Sequence, residues 1–125
     1  DGETQRRMVT LMEFLQRRAT LSYVPRTKFA SIAEIRKRTR TPPGFKDDGH
    51  GDFFIWLEFL AGLMRAKEAG AVFSHAILLT NDVKLDWSTD GIAHPILAAE
   101  VRELLGVSFD VWTIEMLRAA IEKAV

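Results

Sequence analysis

The stretch "GDFFIWLEFLAGLMRAKEAG", residues 51–70, constrains the fold more than any other part of the chain. Phe53, Trp56, Leu57, Leu60 and Met64 recur at helical spacing on one face, and Phe54, Ile55, Phe59 and Leu63 widen the apolar surface. Such a helix has to sit centrally, buried on most sides. Gly70 stops it. The run "HAILL" (75–79) then reads as a fully buried strand of a parallel sheet. Pro95 opens another helix, packed through Ile96, Leu97, Ala99, Val101, Leu104 and Leu105 and ended by Gly106. "SFDVWT" alternates as a short strand. Thr113 can cap a last helix, Ile114 to Lys123, with Met116, Leu117, Ala120 and Ile121 facing inward. From residue 52 the order is helix, strand, helix, strand, helix, the pattern of a parallel α/β sheet flanked by helices.

The first 46 residues supply helices and no strand. "ETQRRMVTLMEFLQRRATL" (3–21) carries Met8, Leu11, Met12, Leu15 and Ala19 as an apolar stripe, and Pro25 breaks the pattern. A second helix over 28–39 has Phe29, Ile32 and Ile35 apolar and ends in the basic cluster Arg36, Lys37, Arg38, Arg40. "TRTPPGFKDDGHGD" is a loop by its prolines and glycines. The chain therefore reads as one domain of 125 residues, a basic helical part (1–46) followed by an acidic α/β part (47–125). Net charge is zero, but the first part carries +7 and the second −7. That asymmetry suits either a basic surface for a polyanion beside an acidic site, or a basic layer laid on an acidic one and neutralised by it.

Cysteine is absent, which excludes a disulfide framework and a thiolate zinc site and fits a cytoplasmic, reducing setting. No apolar run approaches a membrane span. Two strands make a meagre parallel sheet, so further strands are expected either upstream of Asp1 or from another chain.

The chemistry-bearing stretch is "AILLTNDVKLDWSTD" (76–90), in which three carboxylates follow a buried strand. In open parallel sheets the functional crevice lies beyond the carboxyl ends of the strands. Thr80, Asp82, Asp86 and Asp90 fall there, and Asp52 opens a helix whose start feeds the same rim. Crowded carboxylates repel, and a divalent cation relieves them; hard oxygen ligands suit Mg²⁺ or Mn²⁺. Each also has an ordinary use: Asp90 before Gly91 as a turn residue, Asp47 and Asp48 as solvated loop charges, Asp52 as a helix-start residue, Asp82 as a turn cap. Glu58 is expected to face solvent or pair with Arg65. His50, His75 and His94 lack the spacing of a shared metal site, and no serine sits in a nucleophile elbow. A nucleotide-binding flavodoxin-like reading lacks a glycine-rich phosphate loop.

Three pieces of the chain together resemble one lineage of the PIN-like nuclease domains. "TPPGFKD" is similar to that family's Pro-Pro-Gly-aromatic-Lys-Asp loop, "GDFFIWLEFL" to its Gly-Asp-x-x-x-Trp helix start, and "LLTNDVKLDW" to its strand followed by Thr-x-Asp-x-x-x-Asp-Trp. "SFDVWTIEML" fits the closing strand and helix, and the match spans about residues 29 to 120. The resemblance implies a three-layer α/β/α domain that hydrolyses RNA, or single-stranded DNA, with Mg²⁺ or Mn²⁺. It implies Asp52, Asp82 and Asp86 as acidic metal ligands and Thr80 as the hydroxyl that orients the site. Lys46 and Lys84 would touch phosphate, and Arg36, Arg38 and Arg40 would hold the nucleic-acid backbone; Trp56, Trp87 and Trp112 read as core and loop anchors before base-stacking platforms, with Trp87 the aromatic best placed to contact substrate. The family's first strand, ending in an aspartate, has no counterpart before residue 28, so a homodimer or a second chain supplying it is the implied partner. A degenerate module that binds nucleic acid or a protein is the alternative.

Overall fold

The computed structural model describes residues 1–46, 49–82 and 84–124. Five helices and four strands follow in order: α1 (Gly2–Arg18), α2 (Arg26–Arg38), α3 (Gly51–Glu68), β1 (His75–Leu79), β2 (Ser88–Thr89), β3 (Ile92–Ala93), α4 (Pro95–Leu105), β4 (Ser108–Trp112) and α5 (Ile114–Ala124). The expected helix–strand–helix–strand–helix series from residue 52 is present. It is interrupted by a small antiparallel hairpin inside what reads as a loop over 80–94. Asp90 and Gly91 both take positive φ, 50° and 79°, as the two-residue turn of such a hairpin demands. That confirms Asp90 as a turn residue.

β1 and β4 pair in parallel, from His75 opposite Ser108 to Leu79 opposite Trp112, with α4 as the crossover between them. α3 and α4 cover one face of the pair. Trp56 and Leu60 from α3, Ala76 and Leu78 from β1, Leu97, Val101 and Leu105 from α4, and Phe109 and Val111 from β4 form the main core together with Trp87. Trp56 has no exposed surface. Its indole stacks on Phe59 at 5.6 Å and meets Phe109 at 5.2 Å and Trp87 at 6.2 Å edge-on. α4 starts where the His94 ring nitrogen Nδ1 accepts from Ile96 N at 3.2 Å, with Pro95 at its first position, and ends on Gly106 at φ 70°. Thr113 caps α5 through Met116 N at 3.2 Å.

Two burial expectations are corrected. β1 is not buried on both faces: Ala76 and Leu78 point into the core, while Ile77 and Leu79 are exposed. Helices cover one side of the sheet there, so the strand alternates in spite of its uniformly apolar sequence. α1 buries none of its residues, and Val9, Met12, Phe14 and Leu15 of its apolar side are all exposed. It meets α5 along a crevice that Thr4, Arg7 and Met8 line with Arg118 and Ile121.

A second, smaller core joins α2 to the start of α3 through Val24, Ala33, Phe53 and Phe54. The segment before α2 lies close on α3. Ser22 Oγ donates to Glu58 O at 2.6 Å, and a Cβ at Gly62 would meet Ser22 Cβ at 3.3 Å, so glycine there permits the approach. Glu58 pairs neither with solvent nor with Arg65; its carboxylate holds Arg26 at 3.1 Å. The hydrogen bond from Arg26 pulls the Glu58 carboxyl below its ordinary range, with burial opposing that shift weakly.

Two outcomes are expected. Leu97→Ala removes a fully buried side chain at the α4–sheet contact and should cost about 2–5 kcal/mol, read as a lowered denaturant midpoint at unchanged slope. Because the folded state depresses the Glu58 pKa, the stability it adds is fully present above the unfolded glutamate value of about 4.3 and is lost as pH falls through the depressed one. Thermal unfolding from pH 6 down to pH 3 should therefore fall less steeply in Glu58→Gln than in the parent.

Candidate functional site: an acid pair bridged by a lysine

The carboxyl end of β1 runs straight into a chain of local side-chain bonds. Thr80 N donates to Trp112 O at 2.9 Å, which extends the β1–β4 ladder by one residue. Thr80 Oγ1 then accepts from Asp82 N at 3.0 Å, and Asp82 Oδ1 accepts from Lys84 N at 3.0 Å. These are the turn geometries that Thr and Asp favour. They leave Asp82 Oδ2 facing the start of α3. Asp52 stands in the first turn of α3, where the helix dipole favours a carboxylate, and lies four residues before Trp56 on the same helix face. The burial of Trp56 against β4 and Trp87 thereby turns Asp52 toward the 80–87 segment.

The two carboxylates meet on one cation. Lys84 Nζ lies 3.1 Å from Asp52 Oδ2 and 3.3 Å from Asp82 Oδ2. Asp52 and Asp82, 30 positions apart in the sequence, thus converge at the sheet rim as expected. The side chain of Asp52 is 14 % exposed and that of Asp82 25 %, against 49 % for Lys84, so the lysine forms the solvent side of the triplet. Beside it, Thr80, Asp82, Val111, Thr113 and the β2–β3 hairpin line a cavity of about 340 Å³. Asn81 Oδ1 accepts from Ile114 N at 3.4 Å and fastens this rim to α5.

Asp86 does something else. It is buried, 7 % exposed, and its Oδ2 accepts from Gly44 N at 2.5 Å, while Oδ1 is enclosed with no hydrogen-bond partner among the described residues. No group of three or more His, Asp or Glu arranged to hold a metal occurs among the described residues. Of the expected ligands Asp52, Asp82 and Asp86, the first two share Lys84, and Asp86 bonds the 42–44 turn through Oδ2. That turn contains a cis Pro42–Pro43 bond and Gly44 at φ 81°. Asp47 and Asp48 lie outside the described residues.

Trp87 is a core anchor, 2 % exposed, because its indole closes the aromatic cluster around Trp56, and its ring is not presented to a substrate. Arg36, expected on nucleic-acid phosphates, instead clamps Glu100 of α4 with both guanidinium nitrogens at 2.8 and 2.9 Å, donates to Pro42 O and lies 5.1 Å over the Phe53 ring. Arg38, Arg40 and Lys46 are exposed. Lys46 and Lys84 border one groove of about 380 Å³ with Phe45, Leu85, Asp86 and His94. His50 bonds Glu34 at 2.6 Å and His75 bonds Asp110 across the open sheet face at 3.1 Å, so neither adds to the acid pair.

The role of Lys84 as a bridge was the part of the site that sequence reasoning missed. Its signal was the Asp82-x-Lys84 spacing, which lets a lysine fold back on an aspartate at a turn. No protein-family model, curated protein or solved structure matches the chain. No helix among the described residues is long and apolar enough to cross a membrane.

Asp86→Ala should destabilise the protein by about 1–3 kcal/mol, since the buried Gly44 N–H loses its acceptor. Asp86→Asn keeps an acceptor oxygen and should cost less; urea titration of both variants measures the difference.

Proposed function

We infer that this chain is a PIN-like domain that hydrolyses phosphodiesters of RNA, with single-stranded DNA as the second choice, at a divalent-cation site built on Asp52 and Asp82. The observation that carries this reading is the convergence of both carboxylates on one cation-sized position at the carboxyl edge of a parallel βαβ unit. The residues present fit Mg²⁺ or Mn²⁺: the donors are hard oxygens, and a positive group, the Lys84 ammonium, already occupies the space between them. Mg²⁺ commonly binds through only one or two carboxylates plus waters and substrate phosphates, so a third protein carboxylate is not required. When bound, such an ion supplies a nucleophile from water and offsets charge on the scissile phosphate.

The other roles fall to the chain itself. Thr80 positions Asp82 through its backbone N–H. The packing of Trp56 holds Asp52 at the same rim. Arg38, Arg40 and Lys46 present positive charge for a nucleic-acid backbone, with affinity that falls as salt rises. A three-layer α/β/α arrangement, with further elements on the exposed face of β1 and β4, is the fold this reading carries.

The second reading is a catalytically degenerate module that binds nucleic acid. The observation favouring it is the same ammonium, which bonds both acids and offsets part of their charge. Asp82→Asn discriminates. The expected result is loss of Mg²⁺-dependent cleavage of single-stranded RNA, with circular dichroism and melting close to the parent. Parent-like cleavage by the variant overturns the nuclease assignment. No cleavage by the parent, together with salt-sensitive RNA binding, favours the module.

A further inference from the structure

We propose that Lys84 is a displaceable internal cation: it offsets part of the charge of Asp52 and Asp82 while no divalent ion is present, and an entering ion must compete with it for the same oxygens. This rests on the reading of Asp52 and Asp82 as the metal-binding pair. Three observations carry it.

First, the ammonium bonds Oδ2 of both aspartates, at 3.1 and 3.3 Å. A cation bridging the two carboxylates through these oxygens meets Lys84 Nζ where it stands. Two like charges do not share that volume. Second, the lysine is held by its tip and not by burial. Its side chain is 49 % exposed, against 14 % and 25 % for the two acids, so it lies between the acids and water and can leave without opening the core. Third, it has somewhere to go. The Lys84 side chain already borders the groove that Lys46, Phe45 and His94 line. Rotation about its flexible stem moves the ammonium into solvent there, without disturbing the backbone N–H that it donates to Asp82 Oδ1.

The displacement makes metal affinity a difference between two cations. Lys84 lowers the affinity of the site by the strength of its contacts to Asp52 and Asp82. It also spares the metal-free protein the repulsion of two adjacent carboxylates. Its release is coupled to loading, so positive charge reaches the groove beside Lys46 only after the acid pair has been neutralised by the ion.

The test is Mn²⁺ binding by titration calorimetry to the parent, Lys84→Met and Lys84→Arg. An exposed ion pair holds its partners by a factor of up to about five, and the contacts of Lys84 to Asp52 and to Asp82 are two such pairs. The expected result is a Kd for Lys84→Met roughly five- to thirtyfold tighter than the parent's, with Lys84→Arg no tighter than the parent. Equal or weaker binding by Lys84→Met, with the parent still binding, overturns the role of Lys84 and leaves the metal site standing. Absence of saturable binding in both parent and Lys84→Met overturns the metal site and this inference together. Should Lys84→Met not fold, the parent decides by NMR. Displacement predicts that Mg²⁺ shifts the Lys84 Cε and Nζ resonances as it saturates the site; saturation with those resonances unmoved overturns it.

Discussion

The structure depends on one indole. Trp56 lies on α3 with no exposed surface, its ring stacked on Phe59 and wedged edge-on between Phe109 of β4 and Trp87 of the loop beyond β1. Four aromatic rings from three separate segments are thus locked around a single helix position. Aromatic pairs in these arrangements add to the hydrophobic gain of their burial. The same contact fixes the rotation of α3 about its axis. A helix that presents Trp56 to the sheet must present residue 52 there too, one turn earlier. The packing of an apolar side chain therefore aims a charged one, and the acid pair at the rim is a by-product of how the core closes.

Charge organises the molecule at two levels. The basic N-terminal part and the acidic C-terminal part are laid against each other in places: Arg26 holds Glu58 of α3 and Arg36 holds Glu100 of α4. To that extent the opposite charges of the two halves neutralise each other and do not await a partner. Exposed Arg38, Arg40 and Lys46 keep the other reading alive for the rest of the surface. At the rim the balance is local. Asp52, Asp82 and Lys84 settle their charges within a few ångströms, and that arrangement suits a site able to exchange one cation for another.

Much of the fold was legible in the sequence because its signals are local. The apolar period of α3, Pro95 and Gly106 around α4, and the alternation of "SFDVW" place those elements within a residue or two. The hairpin was overlooked although Asp90-Gly91 is a recognised two-residue turn pair, because strands of two residues leave no period to read. Burial was less legible. "HAILL" is apolar throughout, and only the tertiary arrangement decides that one of its faces stays open. The convergence of Asp52 and Asp82 followed from a topological rule about sheet edges. The fates of Asp86, Trp87 and Arg36 did not, since each is decided by a partner distant in sequence: Gly44, Trp56 and Glu100 lie 42, 31 and 64 positions away. Motif and residue type marked these three, and neither shows the packing partner that each takes up.

The parallel pair also has a consequence for how the protein breathes. β1 and β4 each find a strand neighbour on one flank only, so half the main-chain amides along them face outward without a ladder partner among the described residues. Deuterium should enter those outward amides long before it reaches the ones bonded in the β1–β4 ladder. The strand from which the acid-bearing loop springs is thus held by its ladder to β4 and by the face it lays on α3 and α4, with its other flank open. Small rocking of that strand changes the spacing between the two aspartates before anything in the hydrophobic interior has to give.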